Sequence, residues 1–272
     1  MKSDFSAWIP LLAQAAEEAS AEVLRLYHSG VDIFDKPDAT QVTTADLAAH
    51  ARIHQLLSET PFPICSEEGI RDLQHGSPDT FWLVDPIDGT TEFIERTGEF
   101  TINIALIHQS QPILGAMCAP AALPKDQGLW LGVVGDGLFE KKNQQWERFN
   151  SVFPKKSDWI LLGSRRDMRQ GAGGFTEKLR LRGENWEEAR VGSSLKFLRI
   201  ARGLADAYPR SSQLHHWDIA AGHALVLAAG GQMMRLTDGG PLTYRWEQEE
   251  MPGFLALAPG RDWDFHESLL SV

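Results

Sequence analysis

One stretch constrains this chain more than any other: Trp82-Leu83-Val84-Asp85-Pro86-Ile87-Asp88-Gly89-Thr90-Thr91-Glu92-Phe93. Trp82 to Val84 are strand formers, and Pro86 removes a ladder donor and is expected to end the strand. Gly89 then offers a conformationally free corner from which a helix can start. Two carboxylates therefore stand at a strand end. Asp85 and Asp88 lie three apart across a proline-containing turn, so both can aim at one point, and the Ile87 carbonyl between them has no obvious ladder partner. That all-oxygen set suits Mg²⁺. If Gly89 and Thr90 open a helix, their N–H groups form an anion site beside the metal, so one turn would hold both cation and phosphate. An Asx turn that merely closes a loop would use the same residue types.

The 272 residues, 43% of them hydrophobic, suffice for one large domain or two closely joined ones. No apolar run reaches the ~20 residues of a membrane span, and acids interrupt the N-terminal stretch where a signal peptide would be apolar. A cytoplasmic protein is expected, with peripheral membrane association left open. Cys65 and Cys118 have no C-x-x-C spacing and read as reduced thiols. The net charge of −11 speaks against nucleic-acid binding; an anionic substrate would need cation concentrated locally, from metal or from a few Arg and Lys.

Along the chain, Leu12, Ala16, Ala19, Val23 and Leu26 recur at steps of four and three, predicting an amphipathic helix from about Asp4 to Tyr27. A short strand is expected at Val31 to Phe34. Thr43 or Thr44 then caps a helix to about Leu57 with Asp46 in its first turn. Pro63 to Gly69 reads as a buried strand ending in Glu67 and Glu68, followed by polar loop. Thr101–Leu106 with Pro112–Cys118, and Leu129–Val134 with Leu138–Lys141, read as antiparallel hairpins. The polar stretch 142–158 is the expected boundary between an α+β half, 1–150, and an α/β half, 151–272. In the second half we expect strands at Trp159–Gly163 and Glu188–Val191, and a loop with a short helix over 171–182. A helix capped by Ser193 or Ser194 is expected to run to about Gly203, and another from His216 to about Ala229. Asp218 is by itself well explained as an N-cap.

Glu67, Asp85, Asp88 and Asp218 each end a strand or open a helix. Were they to converge, each pair at ~4 Å and an effective dielectric of ~20 would repel by about 4 kcal/mol, so the cluster would need divalent cations. With no paired His or Cys among them, Mg²⁺ or Mn²⁺ is favoured over Zn²⁺.

Residues 82–93 and 217–231 resemble the two signature stretches of the inositol monophosphatase superfamily of Mg²⁺-dependent, lithium-sensitive phosphomonoesterases. Ser66-Glu67-Glu68 is similar to that family's acidic metal motif and Thr43-Thr44-Ala45-Asp46 to its threonine–aspartate motif. Within the superfamily, Glu92-Phe93-Ile94, 98–106, 192–197 and Tyr208-Pro209-Arg210 resemble the bacterial CysQ type, 3′(2′),5′-bisphosphate nucleotidases of sulfur metabolism. The resemblance implies a five-layered α-β-α-β-α sandwich with the site between its halves. It implies Glu67, Asp85, the Ile87 carbonyl, Asp88 and Asp218 as ligands of two or three Mg²⁺ ions, Mn²⁺ being possible, with Glu68 near a weak further one. It makes Gly89 and Thr90 the phosphate turn and Asp46 with Thr90 the pair that polarises the attacking water, and it brings Ser193, Lys196 and Arg210 to the substrate wall.

The implied reaction is hydrolysis of the 3′(2′)-phosphate of adenosine 3′(2′),5′-bisphosphate to AMP and phosphate, through water that the metal activates. An inositol monophosphatase or other small-polyol phosphatase is the alternative, and a phosphometabolite-binding protein without turnover a third reading. The partner is a small phosphorylated metabolite rather than nucleic acid or an integral membrane; monomer and homodimer both remain open. Two places depart from the CysQ pattern: Thr91 stands where Lys is common, and 211–216 replaces the usual segment before Trp-Asp. His50 and His54, without the Glu of H-E-x-x-H, read as a solvated helix face. Arg165, Arg166 and Arg169 read as solvated surface, and Gly171–Gly174 as loop.

Overall fold

The computed structural model describes residues 5–37, 40–69, 76–150, 158–165 and 173–263. A 3₁₀ turn leads into α1 (Ile9–Ser29), with Pro10 in the first turn, where a missing N–H costs nothing. The hairpin β1 (Ile33–Asp35) and β2 (Gln41–Thr43) precedes α2 (Thr44–Leu57). Next come β3 (Ile64–Ser66), β4 (Thr80–Asp88), the short α3 (Thr90–Ile94), β5 (Thr101–His108), β6 (Gln111–Ala119), β7 (Gly128–Val133), β8 (Gly137–Lys142) and β9 (Gln145–Arg148). These strands form a seven-stranded sheet in chain order, parallel only between β3 and β4.

The second half follows as β10 (Trp159–Gly163), α4 (Gly173–Leu181), β11 (Trp186–Arg190), α5 (Leu195–Ala201), β12 (Ala207–Arg210), β13 (Leu214–His215), α6 (His216–Ala228), β14 (Gln232–Arg235), β15 (Glu250–Met251) and β16 (Phe254–Leu257). A five-stranded sheet takes the order β11-β10-β12-β16-β14, and β13 pairs with β15.

Alternation along β4 and β5 sets the layers. Trp82, Val84, Ile102, Ile104 and Leu106 join the core under α1 and α2, whereas Phe81, Leu83, Ala105 and Ile107 join the core shared with α5, α6 and the five-stranded sheet. Beyond that second sheet, Phe175 and Leu179 of α4 pack with Trp159, Leu161 and Leu257. The order is helix, sheet, helix, sheet, helix, as the resemblance implied. Each large apolar side chain buried this way contributes roughly 1.5–3 kcal/mol. The halves are joined because α6, from the second, lies on the sheet of the first. A Cβ at Gly115 would come within 2.6 Å of the Ala224 methyl, and one at Gly132 within 2.9 Å of the Leu225 Cα, so bare backbone sets that approach. Among the described residues no helix is long and apolar enough to cross a membrane.

Several local expectations change. Pro86 does not end β4: the strand continues to Asp88 through a register shift between Asp85 and Asp88, an irregularity at which a missing ladder donor is tolerated. The polar stretch 142–158 contains β9, an edge strand with three exposed residues whose alternation is too short to read; residues 151–157 of that stretch lie outside the described ones. The first hairpin turns more tightly than expected, on Gln109 and Ser110 at φ 49° and 63°. Ser194 stands at the start of α5 but does not cap it with its side chain. Strands β14 and β16 were not read from the sequence; Phe254–Leu257 is buried throughout and so shows no alternation.

Candidate active site

Two carboxylates are oriented by the same local device. In α2, Thr43 Oγ1 accepts the Ala45 N–H, while Asp46 Oδ2 accepts the Thr43 N–H at 2.8 Å and its hydroxyl at 2.6 Å. In α6, Asp218 Oδ2 accepts the His215 N–H at 2.9 Å. Asp218 is thus the third helical residue, not the N-cap, which is His215. Both acids stabilise a helix start, and Asp46 keeps its Oδ1 for Thr90.

Asp85 lies between them, 1% exposed, with its Oδ1 buried and without a hydrogen-bond partner. Burial pushes its carboxyl well above the usual range, and the charges of Glu67, Asp88, Asp218 and Asp46 push it further. Asp218 is raised in the same way, by burial first and then by Asp88 and Glu67. Asp46 is raised by burial against the pull of Thr43. The five acids therefore feel one another, a convergence that their sequence positions could only suggest. The Glu67 N–H donates to the Val84 carbonyl at 3.0 Å, continuing the β3–β4 ladder so that Glu67 arrives beside Asp85. Asn103, opposite Asp85 on β5, is buried with neither amide atom paired.

Sequence reading missed Lys36. Its ammonium lies 2.9 Å from Glu67 and 2.6 Å from Glu68, and these ion pairs outweigh burial and raise its pKa. Burial raises Glu68 despite that partner. A lysine in a polar loop carries no signal of where that loop folds.

Among the described residues no three His, Cys, Asp or Glu side chains form a ready-made metal cage. Four of the five acids are turned partly onto a protein donor: Glu67 on Lys36, Asp46 on Thr43, Asp218 on His215 and Asp88 on Ser193. The donor set nonetheless fits a hard divalent cation. It is all carboxylate and carbonyl oxygen, and the unpaired Asp85 Oδ1 stands in its midst.

Gly89, at φ +91°, turns the chain into α3. Thr90 Oγ1 then lies 3.3 Å from both Asp46 Oδ1 and the Ile87 carbonyl, sharing one hydrogen between two acceptors. Glu67, Asp85, Ile87, Asp88, Gly89, Thr90 and Asp218 line a cleft of about 750 Å³ with Lys36, His215, Trp217 and Glu249, and Asp46 stands behind Thr90.

A smaller pocket of about 210 Å³ adjoins it, lined by Asp88, Gly89, Ser193, Lys196, Tyr208, Arg210 and Asp218 among others. The expected wall residues Ser193, Lys196 and Arg210 are thus brought together. Ser193 holds φ +54°, a conformation that costs a residue with a side chain ~1–3 kcal/mol. Its hydroxyl donates to Asp88, 2.9 Å from the carbonyl and 3.0 Å from Oδ2, and lies 2.9 Å from Thr101 Oγ1. Lys196 is buried, and its ammonium donates to the Val191 and Ser193 carbonyls, leaving one N–H for a ligand. Burial draws its pKa down to about 8. Arg210 Nη1 donates to the Tyr208 hydroxyl at 3.2 Å.

The remaining candidates are structural. His50 Nδ1 lies 2.9 Å from Ser66 Oγ, and the rings of His50 and His54 are 5.8 Å apart. Arg165 pairs with Glu99 rather than standing free in solvent, while Arg166, Arg169 and residues 171–172 lie outside the described ones. Cys65 and Cys118 are buried and form no disulfide, and burial pushes the Cys118 thiol up to about 11.

Fold and site together define a layered α/β phosphatase architecture with an acidic centre, and the chain belongs to the Inositol monophosphatase family, whose pattern matches residues 5–269. Phosphatases of this family are metal-dependent, generally on Mg²⁺. The chain is similar to the 3′(2′),5′-bisphosphate nucleotidase CysQ of Buchnera aphidicola, 36% identical over 86% of each chain. It is also 36% identical to CysQ of Escherichia coli K12, over 89% of this chain and 96% of that one. The crystal structure of CysQ from Bacteroides thetaiotaomicron superposes with a TM-score of 0.81 at 33% identity, covering 95% of this chain and 99% of that one.

Proposed function

We infer that this protein is a metal-dependent phosphomonoesterase that removes the 3′(2′)-phosphate of adenosine 3′(2′),5′-bisphosphate, giving AMP and phosphate. The observation that carries the reading is a second pocket opening directly beside the acidic cleft, where Lys196 and Arg210 face the acids Asp88, Glu92 and Asp218 and, among the described residues, supply the only cationic side chains of its lining. A substrate with two phosphates can place one at each end. The likeness to named bisphosphate nucleotidases over most of the chain supports the same substrate class.

Glu67, Asp85, the Ile87 carbonyl, Asp88 and Asp218 would hold two Mg²⁺ ions, with Glu68 beside a third position; Mn²⁺ suits the same oxygens. Bound there, the cation neutralises phosphate oxygens and lowers the pKa of attacking water. The Gly89 and Thr90 N–H groups orient the scissile phosphate. Thr90, donating its hydrogen to Asp46, keeps oxygen lone pairs to accept one from the water, and Asp46 is held for that task by Thr43. No covalent intermediate is required, because water is the nucleophile. Ser193, Lys196 and Arg210 receive the second phosphate and the nucleoside end.

Phosphate release from adenosine 3′,5′-bisphosphate, adenosine 2′,5′-bisphosphate and inositol 1-phosphate, compared as kcat/KM with Mg²⁺, tests the reading. The bisphosphates are expected to lead. Preference for inositol phosphates would reassign the chain to polyol phosphates, and retention of ligand unchanged in a single turnover would make it a binding protein.

A further inference from the structure

The turn at Gly192–Ser193 is the place where the second half grips the phosphate turn of the first, and one side chain outside the cleft lining governs it. Glu99 lies in the loop entering β5 and is 8% exposed. Its Oε2 accepts the Gly192 N–H at 2.8 Å, and Arg165 closes on both its oxygens, with Nη2 2.6 Å from Oε1. The Arg165 side chain is 52% exposed, so the buried carboxylate is neutralised from the solvent side. Burial alone would raise the Glu99 carboxyl; the hydrogen bonds from Arg165 and Gly192 win and hold it below its usual range.

The fit is close on every side. A Cβ at Gly192 would lie 2.9 Å from Glu99 Oε2 and 3.1 Å from Glu92 Cγ, and one at Gly89 would meet the Glu99 carbonyl and the Ser193 Cβ at 3.1 Å each. Glu99 therefore touches the phosphate turn through its backbone and the opposing turn through its side chain. What the turn presents is Ser193, held left-handed, whose hydroxyl donates to the Asp88 carbonyl and Oδ2 and lies 2.9 Å from Thr101 Oγ1. Ser193 thus ties Asp88 at both its carbonyl and its carboxylate, which restrains the side chain's orientation. Such outer hydrogen bonds govern metal-ligand geometry and affinity.

We propose that Glu99 is a positioning residue: its carboxylate, neutralised by Arg165, holds the Gly192–Ser193 turn against Gly89 so that Ser193 fixes Asp88 for cation binding. The inference rests on the metal reading above. Its test is a Mg²⁺ titration of the melting temperature, without substrate, on full-length wild type, Glu99→Ala, Glu99→Gln and Ser193→Ala, followed by kcat and KM at one fixed Mg²⁺ concentration. The Mg²⁺ midpoint is expected to rise about ten-fold in Glu99→Ala and in Ser193→Ala. In Glu99→Gln, whose amide oxygen still accepts the Gly192 N–H, it should stay within about two-fold of wild type. Glu99→Ala should also lose kcat, and because the same turn carries Ser193 and anchors Lys196, KM should rise with it, so the Mg²⁺ midpoint read without substrate is the deciding measurement. A Glu99→Ala protein that melts lower yet keeps the wild-type midpoint would reduce Glu99 to a tie between halves and overturn the proposal. A wild-type midpoint in Ser193→Ala would do so even if Glu99→Ala failed to fold. A wild type indifferent to Mg²⁺ would overturn the metal reading together with this inference, whereas a responsive wild type matched by all variants overturns the inference alone.

Discussion

The two ends of the cleft are built by opposite means. At the acidic end, Asp85, Ile87, Asp88, Gly89 and Thr90 fall within one turn of chain, and strand β4 with its irregularity at Pro86 delivers them together. The opposing wall gathers Ser193, Lys196, Tyr208 and Arg210 from a turn, a helix and a strand, and it holds Ser193 in a strained conformation. A site that is local in sequence reports its chemistry as a motif, whereas one assembled from separate elements depends on packing that no short motif carries. The acidic end should therefore control whether turnover occurs, and the wall which substrate is turned over.

The largest effect is expected at Asp88. Asp88→Asn should abolish turnover while costing little folding stability, because it removes one charge from a group whose repulsion raises Asp85 and Asp218. Melts with and without Mg²⁺ check it: wild type should gain stability with the ion and the variant clearly less. Equal gains, or retained activity, would break the assignment of the acidic end.

Next comes the water-activating pair. Thr90→Ala and Asp46→Asn should each lower kcat by ~10²-fold or more, and the double variant should be scarcely worse, since residues acting as one unit are not additive. Multiplicative losses in the double variant would give the two residues separate roles. If Asp46 served only the start of α2, its variant would melt lower with kcat unchanged.

Lys196 sharpens the comparison from the other side. A charge-assisted hydrogen bond to a second phosphate is worth roughly 1.5–3 kcal/mol, or about one to two decades of affinity. Lys196→Ala is therefore expected to raise KM for adenosine 3′,5′-bisphosphate about ten-fold while changing turnover of inositol 1-phosphate little. Equal weakening of both substrates would move Lys196 from the wall to the support of the fold.

The smallest effect is the pH dependence of the same lysine. Folded Lys196 has its pKa lowered to about 8 by burial, below the ordinary lysine value of 10.5. The unfolded chain thus takes up its proton first as pH falls, so this group's contribution to stability is full above 10.5 and is lost as pH falls toward about 8. For binding the sign is opposite, because the ammonium that attracts phosphate exists in the free enzyme only below that pKa. Bisphosphate kcat/KM should decline above pH 8 in wild type and lose that inflection in Lys196→Ala, as paired pH profiles would record.

The amino-acid sequence by itself determined the β4 part of the acidic end, since strand formers, two aspartates and a glycine–threonine step lie within a few bonds of one another, although Pro86 does not end the strand and Glu67, Asp46 and Asp218 join it only through packing. The layers came only from the resemblance, because β4 and β5 are buried on both faces and show no alternation along the chain. The local capping of α2 and α6 was legible as well, although Asp218 proved to be the third helical residue rather than the cap. Only the tertiary structure decided that Lys36 pairs with Glu67 and Glu68, that Arg165 closes on Glu99, and that Lys196 spends two of its three donors on the turn carrying Ser193. Those partners lie tens of residues apart or in irregular turns. Their meeting is set by how two sheets pack across α5 and α6, and no spacing along the chain records it.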